Sequence, residues 1–314
     1  MALLTGRAGT VPRAAAVDMV AARRGAGGPG GLRRRASVLR PERQDLVAAA
    51  VEFWLTTAFM VSVFGLVRWG ISTAAVGAGV AETRLRVAVV SMAVGLVIVG
   101  FIVSRPGRFS GAHMNPAITL ASFVAGRTPA RRVLPYLAAQ SAGSVVAAAL
   151  NQAAWGAAAS GAVVQPAAGR SGSAVAVVEA VVLAIIVVVM CRVTGPWLPW
   201  IMGGLFGVQG AILGTVTGGS ANPARQLGPA LLAGEHRLLA VYLIAPIVGA
   251  VVAAWAARAT EEGHQIGVRR DDASAVTGTG GVVHQVPRIS VRGPNVKEDR
   301  CPFPAQRDPQ WKAW

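Results

Sequence analysis

Asn-Pro-Ala occurs twice in this chain, as Asn115-Pro116-Ala117 and Asn222-Pro223-Ala224, and each copy interrupts a hydrophobic stretch. The chain has only four Asn residues, and two of them open this triplet. Pro suits the first turn of a helix because its missing N–H would be unpaired there anyway. An Asn directly before it can cap that helix and still turn an amide outward. Two such helix starts at membrane depth imply two half-helices that meet head to head inside a pore.

The composition fits a chain that lives in a bilayer. Of 314 residues 53% are hydrophobic and 14% charged, a balance ordinary for polytopic membrane proteins and unusual for soluble domains. The charges avoid the apolar stretches. Between Leu46 and Ala257 the only acids are Glu52, Glu82, Glu179 and Glu235. Much of the formal net charge of +16 comes from the ends. Residues 1–45 carry nine arginines among Gly, Ala and Pro, and 258–314 are polar and of mixed charge, so both read as disordered tails around a domain at 46–257. The basic arm has no nucleic-acid motif beside it, and no nucleic-acid partner is expected. No sustained apolar run within 1–45 marks a cleavable signal peptide. Cys191 and Cys301 stand outside any metal-ligand spacing and read as reduced thiols. No metal site, cofactor site, nucleophile or phosphate loop is evident in the spans, so no enzyme is expected.

Six stretches are apolar and long enough to cross a bilayer, at about 46–67, 87–104, 133–154, 174–191, 197–216 and 238–257. Two shorter ones follow the triplets, at about 116–125 and 223–233, and suit re-entrant half-helices. The order is span, span, half-helix, span, and then the same again. An odd number of spans per half inverts the second half relative to the first. The expected fold class is therefore an all-α membrane protein, with six transmembrane helices and two half-helices in an inverted repeat. Glu52 and Glu179 fall in the opening span of each half. A re-entrant loop has neither sheet nor full helix to pair its N–H groups, and a buried acid supplies acceptors for them. Gly203, Gly204, Gly207 and Gly210 offer a small face for close helix approach. An even number of spans puts both tails on one side. Their arginines argue for the cytoplasm of a plasma-membrane protein.

These motifs, with Ser110-Gly111-Ala112-His113-Met114 before the first triplet, Ala139-Gln140-Ser141-Ala142-Gly143 in the third span, and Arg225 and Gly228-Pro229 after the second, closely resemble the aquaporin (major intrinsic protein) family over about 46–257. The resemblance implies a bundle of six tilted helices, usually assembled as a homotetramer in the lipid bilayer with one pore per subunit. It also implies that Asn115 and Asn222 donate hydrogen bonds to a permeating oxygen. A water so held points its protons along the file in opposite directions, which breaks a proton wire. The positive ends of the half-helices repel cations. His113 matches a loop His of the family and braces the loop by hydrogen bonds.

The family's second constriction contains an Arg, which Arg225 matches. Counting from the motifs places the other filter positions at Gly219, at Gly210, and at Val94 or Gly95. The water-selective pattern has an aromatic and a His at two of these, and their loss implies a wider pore. The Gly210 and Gly219 pair is similar to the filter of some nodulin-like plant members, which pass metalloid acids. The glycerol-conducting branch usually has an acid where this chain has Gln226. The expectation is a passive channel for water or small neutral solutes, namely glycerol or metalloid hydroxides, that excludes protons and ions. A closed-lumen structural or adhesive membrane protein is the alternative from another class, and an ion-coupled secondary transporter is a further one.

Overall fold

The computed structural model describes residues 40–71, 79–156, 159 and 163–260 in full, and 72 and 261–277 as backbone only. The basic disordered tail expected at 1–45 lies almost wholly outside the described residues. Among the described residues every element is helical. The first half holds α1 (Arg43–Val67), α2 (Val80–Val103), a short α3 (Arg105–Ser110), the half-helix α4 (Pro116–Val124) and α5 (Ala130–Trp155). The second holds α6 (Gly172–Arg192), α7 (Leu198–Leu213), the half-helix α8 (Pro223–Ala233) and α9 (Leu239–Thr277). Five of these are long and apolar enough to cross a membrane: α1, α2, α5, α6 and the first part of α9.

The expected span at 197–216 is shorter than the sequence implied. The apolar helix α7 has 16 residues, about 24 Å at the helical rise, against a hydrocarbon core of about 30 Å. It ends because the next residues turn tightly: Thr217 N and Gly218 N both donate to Leu213 O before Gly218 and Gly219 adopt φ of 85° and 56°. The stretch 105–108, between the expected second span and the first half-helix, is helical. Ser104 caps it by accepting from Gly107 N at 3.0 Å, and Pro106 sits in its first turn, where a missing N–H costs nothing. Of the tail expected from 258 on, 258–277 are helical and 278–314 lie outside the described residues. The last helix runs on to Thr277, in a sequence with no Pro between Pro246 and Pro287 to stop it.

Packing follows the repeat. Helices α1 and α5 pair in the first half, and α6 and α9 pair in the same way in the second. Both pairs depend on one glycine. A Cβ on Gly143 would lie 2.7 Å from Phe53 O, and one on Gly249 would lie 1.9 Å from Ala180 O. The backbones therefore touch, one residue past Glu52 and one past Glu179. Helices α2 and α7 cross at the centre through Gly95 and Gly203, where a Cβ on either would meet the other's carbonyl oxygen within 2.5 Å. Gly207 extends that contact, whereas Gly204 faces open space. Each half-helix packs chiefly against the last span of the opposite half, α4 on α9 and α8 on α5, so the halves interlock.

Polar contacts join the helix ends that share one side. Asp45, at the start of α1, accepts from Arg131 and Arg132, at the start of α5, at 2.7 Å each. Arg127 donates to Met190 O and Cys191 O at the end of α6, both at 2.9 Å, and Arg258 of α9 donates to Val124 O at the end of α4. The first described helix therefore begins on the side where the last span ends.

Candidate functional site

The site is built where α4 and α8 begin. Asn115 and Asn222 have near-identical backbones, φ −155° and ψ 115° against φ −153° and ψ 110°. Each caps its own half-helix, its Oδ1 accepting from Ala117 N or Ala224 N at 2.9 Å. Each then reaches across. Asn115 Nδ2 donates to Ala221 O, and Asn222 Nδ2 donates to Met114 O, both at 2.9 Å. An amide nitrogen carries two hydrogens, so one N–H of each Asn has no partner among the described residues. Both Asn residues line the main cavity.

The loops before the triplets are held by the two buried acids. Glu52 Oε1 accepts from Ser110 Oγ at 2.7 Å and His113 N at 3.0 Å, and its Oε2 accepts from Met114 N at 2.8 Å and Gln140 Nε2 at 2.9 Å. Glu179 Oε1 accepts from Thr217 Oγ1 at 3.0 Å and Ser220 N at 3.2 Å, and its Oε2 from Ala221 N at 2.7 Å. Ser110, His113, Met114 and Asn115 correspond to Thr217, Ser220, Ala221 and Asn222 at one constant sequence offset. Tyr136 donates to Ser110 O at 2.7 Å and Tyr242 donates to Thr217 O at 2.5 Å. Met114 and Ala221 both have φ of 47°, a left-handed conformation costly for non-glycine residues. The carboxylates offset that cost by holding the N–H of the same two residues. His113 Nδ1 lies 3.0 Å from Thr119 Oγ1, and its ring meets Tyr136 edge to face at 5.5 Å.

The sequence reading missed Ser110, Tyr136, Thr217 and Tyr242 as supports. Their signal was present: Ser110 and Thr217 each stand five residues before the Asn of their triplet, and Tyr136 and Tyr242 stand 21 and 20 residues after it. It also missed Gln226. This buried side chain accepts from Val164 N at 2.9 Å and donates to Val164 O at 3.1 Å, tying down the connection between α5 and α6.

The main cavity is about 320 Å³. Its lining includes Val87 near the start of α2 and Ile102 near the end, about 22 Å apart by helical rise, so it extends along much of the bundle. Gly210, Gly219 and Arg225 line it. Of the two residues offered for the second-span position, Val94 lines it, and Gly95 lies buried in the α2–α7 crossing. The Arg225 guanidinium carbon lies 6.0 Å from the centre of the buried Phe64 ring. Gly210 abuts α2, since a Cβ there would come within 2.8 Å of Ser91 Oγ.

A helical membrane bundle with two opposed half-helices, their Asn caps joined across a lengthwise cavity, is the architecture of the aquaporin class. The sequence pattern of the family described as Major intrinsic protein matches residues 42–257, and the chain belongs to that family. Among similar proteins, Aquaporin NIP1-3 of Oryza sativa is 37% identical over 48% of this chain and 54% of its own length. Nodulin-26 of Glycine max is 33% identical over 51% and 61%. Probable aquaporin AqpM of Archaeoglobus fulgidus is 38% identical over 53% and 73%. The matched stretch spans about half the length of the rice relative. The X-ray structure of the aquaglyceroporin from Plasmodium falciparum shares the fold, with a TM-score of 0.53 and 19% identity over 67% of this chain and 93% of that one.

Proposed function

We propose that this protein is a passive channel for water and small neutral solutes, with Asn115-Pro116-Ala117, Asn222-Pro223-Ala224 and Arg225 as its selective elements. The observation that carries this reading is the reciprocal pair of Asn caps on the cavity wall. The remaining N–H of each donates to a passing oxygen at the meeting point of two helix N-termini. That field favours a neutral solute with lone pairs and opposes a cation. Val94, Gly210 and Gly219 add no donor to the filter, so Arg225 supplies the fixed positive charge there. Small side chains at these positions favour glycerol or an undissociated metalloid acid alongside water. Flux is downhill and needs no cofactor or covalent step. The arginines gathered at the α1–α5 contact and in residues 1–45 support a plasma-membrane protein with both tails in the cytoplasm. Family membership supports a homotetramer.

Stopped-flow light scattering on proteoliposomes tests this, with an impermeant osmolyte compared with glycerol and boric acid. Rapid water flux with entry of at least one neutral solute is expected. Absence of any flux above that of empty vesicles overturns the channel reading in favour of a closed-lumen structural protein.

A further inference from the structure

Gln209 immediately precedes Gly210 on α7 and lines the same cavity. Its Nε2 donates to Gly219 O at 3.0 Å, so the neighbour in sequence of one filter glycine is bonded to the other. This contact fixes which end of the amide is which, because only the NH2 end can donate to a carbonyl. The other end, Oε1, is buried and has no hydrogen-bond partner among the described residues. It lies on the side-chain face of Gly219, where a Cβ would stand 3.4 Å away. A buried amide oxygen left unpaired is costly and calls for an explanation. The filter that looks bare, with glycines at 210 and 219, therefore has an acceptor beside it.

We infer that Gln209 is a specificity-determining residue of the filter, its Oε1 accepting a hydrogen bond from a hydroxyl of the permeating solute. The inference rests on the channel reading above and deepens it. Arg225 is a donor only, and each Asn turns its leftover N–H to the cavity, so those groups recognise oxygen lone pairs. A polyol or an undissociated hydroxy acid must also place its own O–H protons. Gln209 supplies the matching acceptor in the cavity that Arg225 also lines, and a solute that donates and accepts at once is held by both. A molecule with acceptors alone leaves Oε1 unpaired. The amide clamp on Gly219 O has a second effect. It ties that carbonyl to α7 and leaves it a second lone pair, so Gln209 adds an acceptor beside the loop backbone at this level.

The test measures glycerol and water permeability of the full chain in the same proteoliposomes, for the parent and for Gln209→Met and Gln209→Glu. Gln209→Met keeps the length and removes both polar ends. Its glycerol permeability is expected to fall about five-fold relative to water, the effect of one lost hydrogen bond. Gln209→Glu restores the pattern when protonated, its O–H donating to Gly219 O and its C=O accepting. Its glycerol-to-water ratio is therefore expected to recover towards the parent value as pH is lowered. An unchanged ratio in Gln209→Met, or an equal fall in both fluxes with no recovery in Gln209→Glu, overturns the inference. A parent protein that passes water and no hydroxylated solute overturns it while leaving the channel reading intact. A parent that passes nothing overturns both.

Discussion

Asn115 and Asn222 are each hydrogen bonded, at 2.9 Å, to the carbonyl of the residue just before the other. Two separate turns of chain are thereby locked at one point, and each lock depends on the other's position. Asn115→Ala and Asn222→Ala should each cost about 2 kcal/mol, from a lost helix cap and a lost buried bond. The double variant should cost about 1 kcal/mol less than the sum, because one broken lock already loosens the other. Thermal unfolding of the detergent-solubilised protein reads this cycle, and strict additivity would separate the two bonds.

The two buried acids carry unequal loads. Glu52 receives four donors and Glu179 three. Replacement by Gln turns an NH2 group towards donors. Glu52→Gln and Glu179→Gln should each destabilise by about 2–4 kcal/mol, from buried groups left facing like partners. The measurement is unfolding in detergent. A loss under about 0.5 kcal/mol at either site would contradict a loop-bracing role.

Gln226 holds Val164 by both its N–H and its C=O, and both residues are buried. Gln226→Leu leaves those two backbone groups unpaired, a local cost of about 2–3 kcal/mol. Hydrogen exchange at the Val164 amide should accelerate by about thirty-fold or more, while exchange in α1 stays unchanged. Equal acceleration throughout would indicate global destabilisation instead.

Glycines in the bundle should sort sharply by contact. Gly249→Ala drives a methyl into Ala180 O and should block assembly of the folded protein or lower its yield many-fold. Gly65→Ala meets nothing within 4 Å and should stabilise α1 by up to about 1 kcal/mol. Monodisperse yield and melting temperature in detergent check both.

Arg225→Val removes the fixed cation from the cavity wall. Proton leak, followed with a pH-sensitive dye inside proteoliposomes, should rise on the order of ten-fold, since the repulsion of a buried charge is lost. Water flux should persist. Unaltered solute selectivity together with unaltered proton exclusion would show that the filter lies elsewhere.

The repeat, the half-helices and the two acids were legible in the amino-acid sequence because each is a local pattern. Pro at a helix start, Asn before it, and a lone Glu in an apolar run each carry a cost or a use that can be read without neighbours. The same holds for Arg225, which is expensive in any membrane segment. The crossed Asn bonds were not legible, since they join groups more than a hundred residues apart. Nor was the end of α7 at Leu213, because Gly214, Thr215 and Val216 carry no charge that would end a span, and the turn into the second loop stops the helix. The continuation of α9 past 257 was missed for the opposite reason: polarity marks the end of a span, not the end of a helix. Gln209 and Gln226 look alike in a list of residues. Only the folded chain sets one against Gly219 and the other against Val164, because hydrogen-bond partners are assigned by where the backbone passes in space.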